Sequence, residues 1–196
     1  MLIKDTSQKF SRELCPAGTY RAICTSITDM GFHEQNWQGE KARDVRKLRL
    51  TFELCDETKE DGSPHYASRE VTLSLNEKSA LRAILDGWRG QAMTDDDAAK
   101  GIDLKSFLGR AAMLGITHKT SQAGNEYAAI SSVNALPKGF DQDLPTPTAP
   151  LELFDMDSPN WREIYEGFPE WLQNKINPIE TAKAAAPADF DDDINF

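Results

Sequence analysis

Between Val45 and Cys55 the chain alternates without a break. Leu48, Leu50, Phe52 and Leu54 fall on one side, and Lys47, Arg49, Thr51 and Glu53 on the other. A period of two fits only an extended strand with one face in a core and one in water. An all-parallel sheet, buried on both sides, would not leave four polar residues in a row on one face. The neighbouring segments extend the pattern. Thr19 to Asp29 is rich in β-branched residues and follows the breaker Pro16-Ala17-Gly18. Tyr66 to Leu75 returns after the polar connection Asp56–Pro64, with Arg69, Val71, Leu73 and Leu75 on one side and Tyr66, Ser68, Glu70, Thr72 and Ser74 on the other. Arg69 thus falls on the Val71 side, where an ion pair is the ordinary role for it.

A helix then interrupts the strands. Asn76 reads as its N-cap, Ala80, Leu81, Ile84 and Leu85 sit at helical spacing, and Gly87 and Gly90 close it. Thr94 followed by Asp95, Asp96 and Asp97 resembles a second helix start, and Ile102 to Leu108 adds an amphipathic turn. Two more strands, Arg110–Lys119 and Glu126–Leu136, are joined through Gly124-Asn125. Three strands, a helix and two strands predict a mainly β fold with helical additions: a five-stranded OB-fold barrel with the helix between strands three and four. A β-sandwich or an SH3-like barrel shares this strand count. The body ends near residue 137. Residues 138–150, with Pro145, Pro147 and Pro150, predict a stiff solvated linker. Residues 151–176 hold Phe154, Trp161, Tyr165, Phe168 and Trp171, too many aromatics for a linker. They predict one or two short helices, broken at Gly167-Phe168-Pro169 and docked on the body or on a second subunit, the alternative being a linear motif that folds on a partner. Residues 177–196 predict a disordered acidic tail.

Charge separates these regions. Residues 1–140 carry 19 Lys+Arg and 19 Asp+Glu, whereas residues 141–196 carry 3 and 13, so the net charge of -10 belongs to the last quarter. A polyanion repelled by the whole chain can therefore still meet a neutral body. No apolar run approaches a membrane span, and Met1-Leu2-Ile3-Lys4-Asp5 lacks the apolar stretch of a signal peptide. Cys15, Cys24 and Cys55 are odd in number and far apart, as for reduced thiols in a cytoplasm.

Single-strand binding needs aromatic faces for bases and cations along one groove. On the five-stranded template that groove is the polar face of strands two and three, bordered by the first and fourth loops. The first loop, Met30–Asp44, offers Phe32, Trp37, Lys41 and Arg43. The second strand offers Lys47 and Arg49, the third Tyr66, and the last hairpin Lys119 and Tyr127. Each has an ordinary alternative. Phe32 or Trp37 can plug the barrel end, Tyr127 can sit in the core, and Lys47 and Arg49 can guard a solvated edge. His33, His65 and His118 form no zinc motif, no phosphate loop or nucleophile elbow is present, and Asp95, Asp96 and Asp97 lack calcium-loop spacing. No catalytic residue, metal or cofactor is expected.

The last residues, Asp191-Asp192-Asp193-Ile194-Asn195-Phe196, place two apolar anchors behind a carboxylate run. Most acidic tails are only solvated, but such tails have no use for Ile194 and Phe196. This order resembles the C-terminal tip of bacterial single-stranded-DNA-binding proteins, with Asn195 where that family usually has Pro. The resemblance implies a docking peptide for replication or recombination enzymes, carried by Asp191, Asp192, Asp193, Ile194 and Phe196. The body is similar to phage-encoded single-stranded-DNA-binding proteins in Leu73–Leu81 with Trp88-Arg89-Gly90, in Leu108-Gly109-Arg110, in Leu136-Pro137-Lys138-Gly139 and in Pro169–Ile176. That resemblance implies an OB fold that coats single-stranded DNA, with RNA and oligomeric state left open, in the host bacterial cytoplasm. The rival expectation is a protein adaptor with an OB-like body, and a nuclease is a third.

Overall fold

The computed structural model describes residues 13–35, 43–121 and 123–177. Its centre is β1 (Gly18–Gln35), 18 residues long, which pairs antiparallel along most of its length with β2 (Arg43–Thr58). β3 (Pro64–Thr72) lies on the far side of β2, while β4 (Ala111–Thr120) flanks the first part of β1 and carries β5 (Glu126–Asn134). The order is β3-β2-β1-β4-β5, and a short sixth strand, β6 (Glu152–Phe154), pairs parallel to β1 at Ser26–Thr28, beyond the end of β4. The sheet thus has six strands where the sequence pattern gives five. It is open, because no hydrogen-bonded ladder joins β3 to β5. Across that seam the Arg69 guanidinium donates to the carbonyls of Ile130 and Ser131 at 3.4 Å, in place of the ion pair expected of it.

The apolar side of β2 is kept in full, while Glu53 on its other side is buried as well. Leu48, Leu50, Phe52 and Leu54 are buried and form the main core with Ala67 and Val71 of β3 and Leu114 and Ile116 of β4. α1 (Ala80–Arg89) lies over this core between β3 and β4 in sequence and seats Trp88 at its centre, against Phe52 and Phe107 with ring centroids 5.2 and 5.0 Å away. The indole N–H of Trp88 donates to the Ala111 carbonyl at 2.8 Å, so burial leaves no donor unmet. The N-cap is Ser79 and not Asn76: the Ser79 hydroxyl accepts from the Arg82 amide, while Asn76 caps the preceding turn through Lys78. Gly87 stays inside the helix, which ends at Gly90 in the left-handed conformation that glycine tolerates. Thr94 heads α2 (Asp95–Lys100) with a full capping box, and a 3-10 turn follows at Leu104–Phe107.

The first loop is shorter than expected, and the aromatic-rich segment is helical and docked as expected. The stretch from Met30 to Gln35 continues β1, because pairing with β2 runs on through His33↔Val45 to Gln35↔Arg43. Register gives way only at bulges near Cys24/Ser26 and Asp29/Gly31, which let so long a strand bend. Beyond residue 150 the chain forms β6, α3 (Trp161–Glu166) and α4 (Glu170–Gln173), with the break at Gly167-Phe168-Pro169. This segment closes a second core of Met30, Phe154, Met156, Phe168, Leu172 and Ile176. Leu153 packs on the main core and Phe154 in the second, so the two clusters occupy opposite faces of the sheet. The segment's end is fixed at Gly31, whose φ is +74°. The Asn177 amide donates to the Met30 carbonyl at 2.9 Å, and the Phe32 amide donates to the Asn177 carbonyl at 3.2 Å. A Cβ on Gly31 would sit 1.6 Å from that carbonyl oxygen, so the docking demands glycine.

Candidate nucleic-acid interface

The polar face of β2 and β3 is set by register. Lys47 stands opposite Thr72, Arg49 opposite Glu70, Thr51 opposite Ser68 and Glu53 opposite Tyr66. The β2 members of these pairs are the residues that alternate away from the main core. The C-terminal segment crosses this face. The ring of Trp171 lies over the Arg49 guanidinium at 5.5 Å, and Trp171 keeps 54% of its surface exposed. Arg49 is also bonded to the Glu70 carboxylate at 2.7 Å, and Lys175 approaches the same oxygen at 3.6 Å. Burial pushes the Glu70 carboxyl up, but Lys175 and Arg49 outweigh it and hold its pKa below the ordinary value. Two cations and an open aromatic thus gather around one paired acid.

The second acid on this face is disarmed differently. Glu53 is buried and accepts from the Thr148 amide at 2.7 Å, the Ala149 amide at 2.9 Å and the Tyr66 hydroxyl at 3.0 Å. Burial pushes its carboxyl up, and these three donors overcome it to leave the pKa lowered. Burial and the bond to Glu53 together drive the Tyr66 phenol up to about 12. The 138–150 stretch is therefore not free of the body: its backbone at Thr148 and Ala149 ties to β2.

The expected site residues divide accordingly. Lys47, Arg49 and Tyr66 share the β2–β3 face, with Tyr66 at 39% exposure held by Glu53. Phe32 is a half-buried strand residue, not a loop residue; its amide and carbonyl both bond Asn177, which places it beside the second core. Arg43 is the first residue of β2, opposite Gln35, instead of belonging to a loop. Trp37 and Lys41 lie outside the described residues, as do Asp191, Asp192, Asp193, Ile194 and Phe196. Lys119 and Tyr127 pair with each other on β4 and β5, and Tyr127 is 44% exposed, not in the core. Ala111 of β4 stands opposite Ile23, itself level with Glu53, and Lys119 is eight residues further along, about 26 Å at strand rise. The sheet therefore does not bring this pair to the Arg49 cluster.

Trp171 and Lys175 were not among the residues expected to bind. A signal for them exists in the sequence. Phe168, Leu172 and Ile176 repeat every four residues and are buried, while Trp171 and Lys175, also four apart, fall on the adjoining stripe. Among the described residues no three His, Cys, Asp or Glu side chains converge as a metal site requires, and no helix is long and apolar enough to cross a membrane. Comparison with protein-family models gives no match to this chain, and comparison with curated proteins gives none either.

Proposed function

We propose that this chain is a non-enzymatic, sequence-tolerant single-stranded-DNA-binding protein whose body is an OB fold left ajar between β3 and β5. The strand order β3-β2-β1-β4-β5, with α1 between β3 and β4, supports that fold. The observation that carries the function is the Trp171–Arg49 pair on the outer face of β2. An exposed indole offers a π-face to a base, and the guanidinium beneath it, with Lys47 and Lys175 nearby, offers charge to the phosphates. Pairing of Glu70 and enclosure of Glu53 by donors lessen the repulsion that would otherwise oppose a polyanion there. The acidic segment 189–196 then recruits replication or recombination enzymes and takes no part in coating the strand.

The test is fluorescence anisotropy with a single-stranded oligonucleotide, its duplex and its RNA analogue across a salt series. Strand binding weakens with salt by about 0.7 log units per log unit for each phosphate contacted. Trp171→Ala weakens it by about 1–3 kcal/mol, the worth of one stacked base. Deletion of residues 189–196 leaves strand affinity intact or raised. Strand affinity that ignores both Trp171→Ala and Arg49→Ala sinks the assignment of this face. Absence of any oligonucleotide binding at low salt favours the protein adaptor instead.

A further inference from the structure

At the C-terminal end of α1 the fold gathers a cluster of cations that form no ion pair among the described residues. A cavity of about 360 Å³ lies between the end of α1, α2, the 3-10 turn and the start of β4, lined by Arg89, Lys100 and Arg110 together with Asp97, Asp103 and Ser106. The two carboxylates have work in the backbone. Asp97 accepts from the Thr94 amide to complete the α2 cap, and Asp103 accepts from the Lys105 amide at the head of the 3-10 turn. The cations are less committed: among the described residues none of the three forms an ion pair, although the Asp97 carboxyl is held below its ordinary range by its bonds to Thr94 and, secondarily, by Arg89 and Lys100. Arg110 instead rests on the ring of Phe107 at 5.4 Å, which orients its guanidinium plane. Arg89 completes the last turn of α1, where a cation suits the helix dipole. Yet its Nη1 is buried without a hydrogen-bond partner, alone in this among the buried side-chain nitrogens and oxygens of the described residues. A charged donor left dry is costly, and fully satisfied interiors rarely keep one.

We infer that this cavity is a phosphate-binding site, built by Arg89, Lys100 and Arg110 and distinct from the β2–β3 face. Three cations against two committed carboxylates leave net positive charge. A guanidinium carries paired N–H donors that match the oxygens of a phosphate group, and both Arg89 and Arg110 line the cavity. The Ser106 hydroxyl, which donates to the Asp103 carbonyl at 2.7 Å, keeps lone pairs only and so adds no donor. The site does not rest on strand binding, since its ligand is the phosphate group itself, whether free, on a mononucleotide or in a strand.

The decisive measurement is calorimetric titration of the full chain with inorganic phosphate at ionic strength matched with chloride. Saturable binding is expected, about tenfold weaker in Arg110→Gln and in Lys100→Gln, the worth of one charge-assisted hydrogen bond, and unchanged in Lys138→Gln. Arg110 and Lys100 are exposed, so neither change threatens folding, and a thermal melt of each variant verifies that. No saturable binding in the parent chain overturns the site, as does an equal loss in Lys138→Gln or no loss in Arg110→Gln. The same variants titrated with a single-stranded oligonucleotide identify the source. Loss there as well assigns the phosphate to a strand, whereas loss of inorganic phosphate alone assigns it to a free phosphate or mononucleotide. Failure of the β2–β3 reading leaves the phosphate titration untouched.

Discussion

The two hydrophobic clusters lie on opposite faces of one sheet and are held in different ways. The main core draws on every strand from β1 to β5 and on α1, so its contacts join residues far apart in sequence through five ladder-bound strands. The second core is a strap. One short segment, residues 152–177, folds over Met30 and is fastened at β6 and at Gly31. Its few buried side chains and short helices give it little to lose, so it is expected to be the part of the body that opens first. The difference matters because the strap also carries Trp171 and Lys175 onto the polar face of β2 and β3. In this molecule the weaker core positions the candidate binding groups, and the stronger one only supplies the platform.

That contrast can be broken from either side. Trp88→Ala, at the centre of the main core, is expected to cost about 3–5 kcal/mol in urea unfolding, with loss of the whole fold. A milder loss would mean that α1 is dispensable to the platform. Leu172→Ala, in the strap, is expected to cost about 2 kcal/mol, the low end for a residue at the edge of its cluster. Hydrogen exchange should then quicken across 152–177 while β2 and β4 stay protected; uniform quickening would merge the two cores into one cooperative unit.

Gly31→Ala attacks the fastening alone. A side chain at φ +74° costs about 1–3 kcal/mol, and the methyl would collide with the Asn177 carbonyl, so residues 176 and 177 should release. Limited proteolysis detects that release, and resistance equal to the parent contradicts the role given to Gly31. Glu53→Gln is the gentlest change, about 1 kcal/mol, by weakening the tie to Thr148 and Ala149. Because the folded pKa of Glu53 lies below its ordinary 4.5, its contribution is whole above that value and fades as pH falls through the folded pKa. Acid titration of stability should therefore be shallower in Glu53→Gln than in the parent.

Much of the platform could be read directly. Leu48, Leu50, Phe52 and Leu54 announced a strand and named its buried side, and the structure keeps every one of them inside. The break at Gly167-Phe168-Pro169 and the Thr94 start were equally legible, because capping and chain stiffness act within a few residues. Failures clustered where partners lie far away in sequence. Met30–Gln35 passes for a loop until Val45 and Arg43 pair with it. Glu53 looks like a solvated charge until amides 95 and 96 positions later enclose it.

Local sequence by itself determined the five main strands, the apolar face of β2, and that the net negative charge is confined to the last quarter. Those properties follow from side-chain alternation and composition, which need no partner. Only the tertiary structure decided that Trp171 overlies Arg49, that Lys119 and Tyr127 stand apart from them, and that Arg89, Lys100 and Arg110 line one cavity. A side chain's neighbours across a sheet are fixed by register, bulges and docking, and those are settled by the whole chain folding at once.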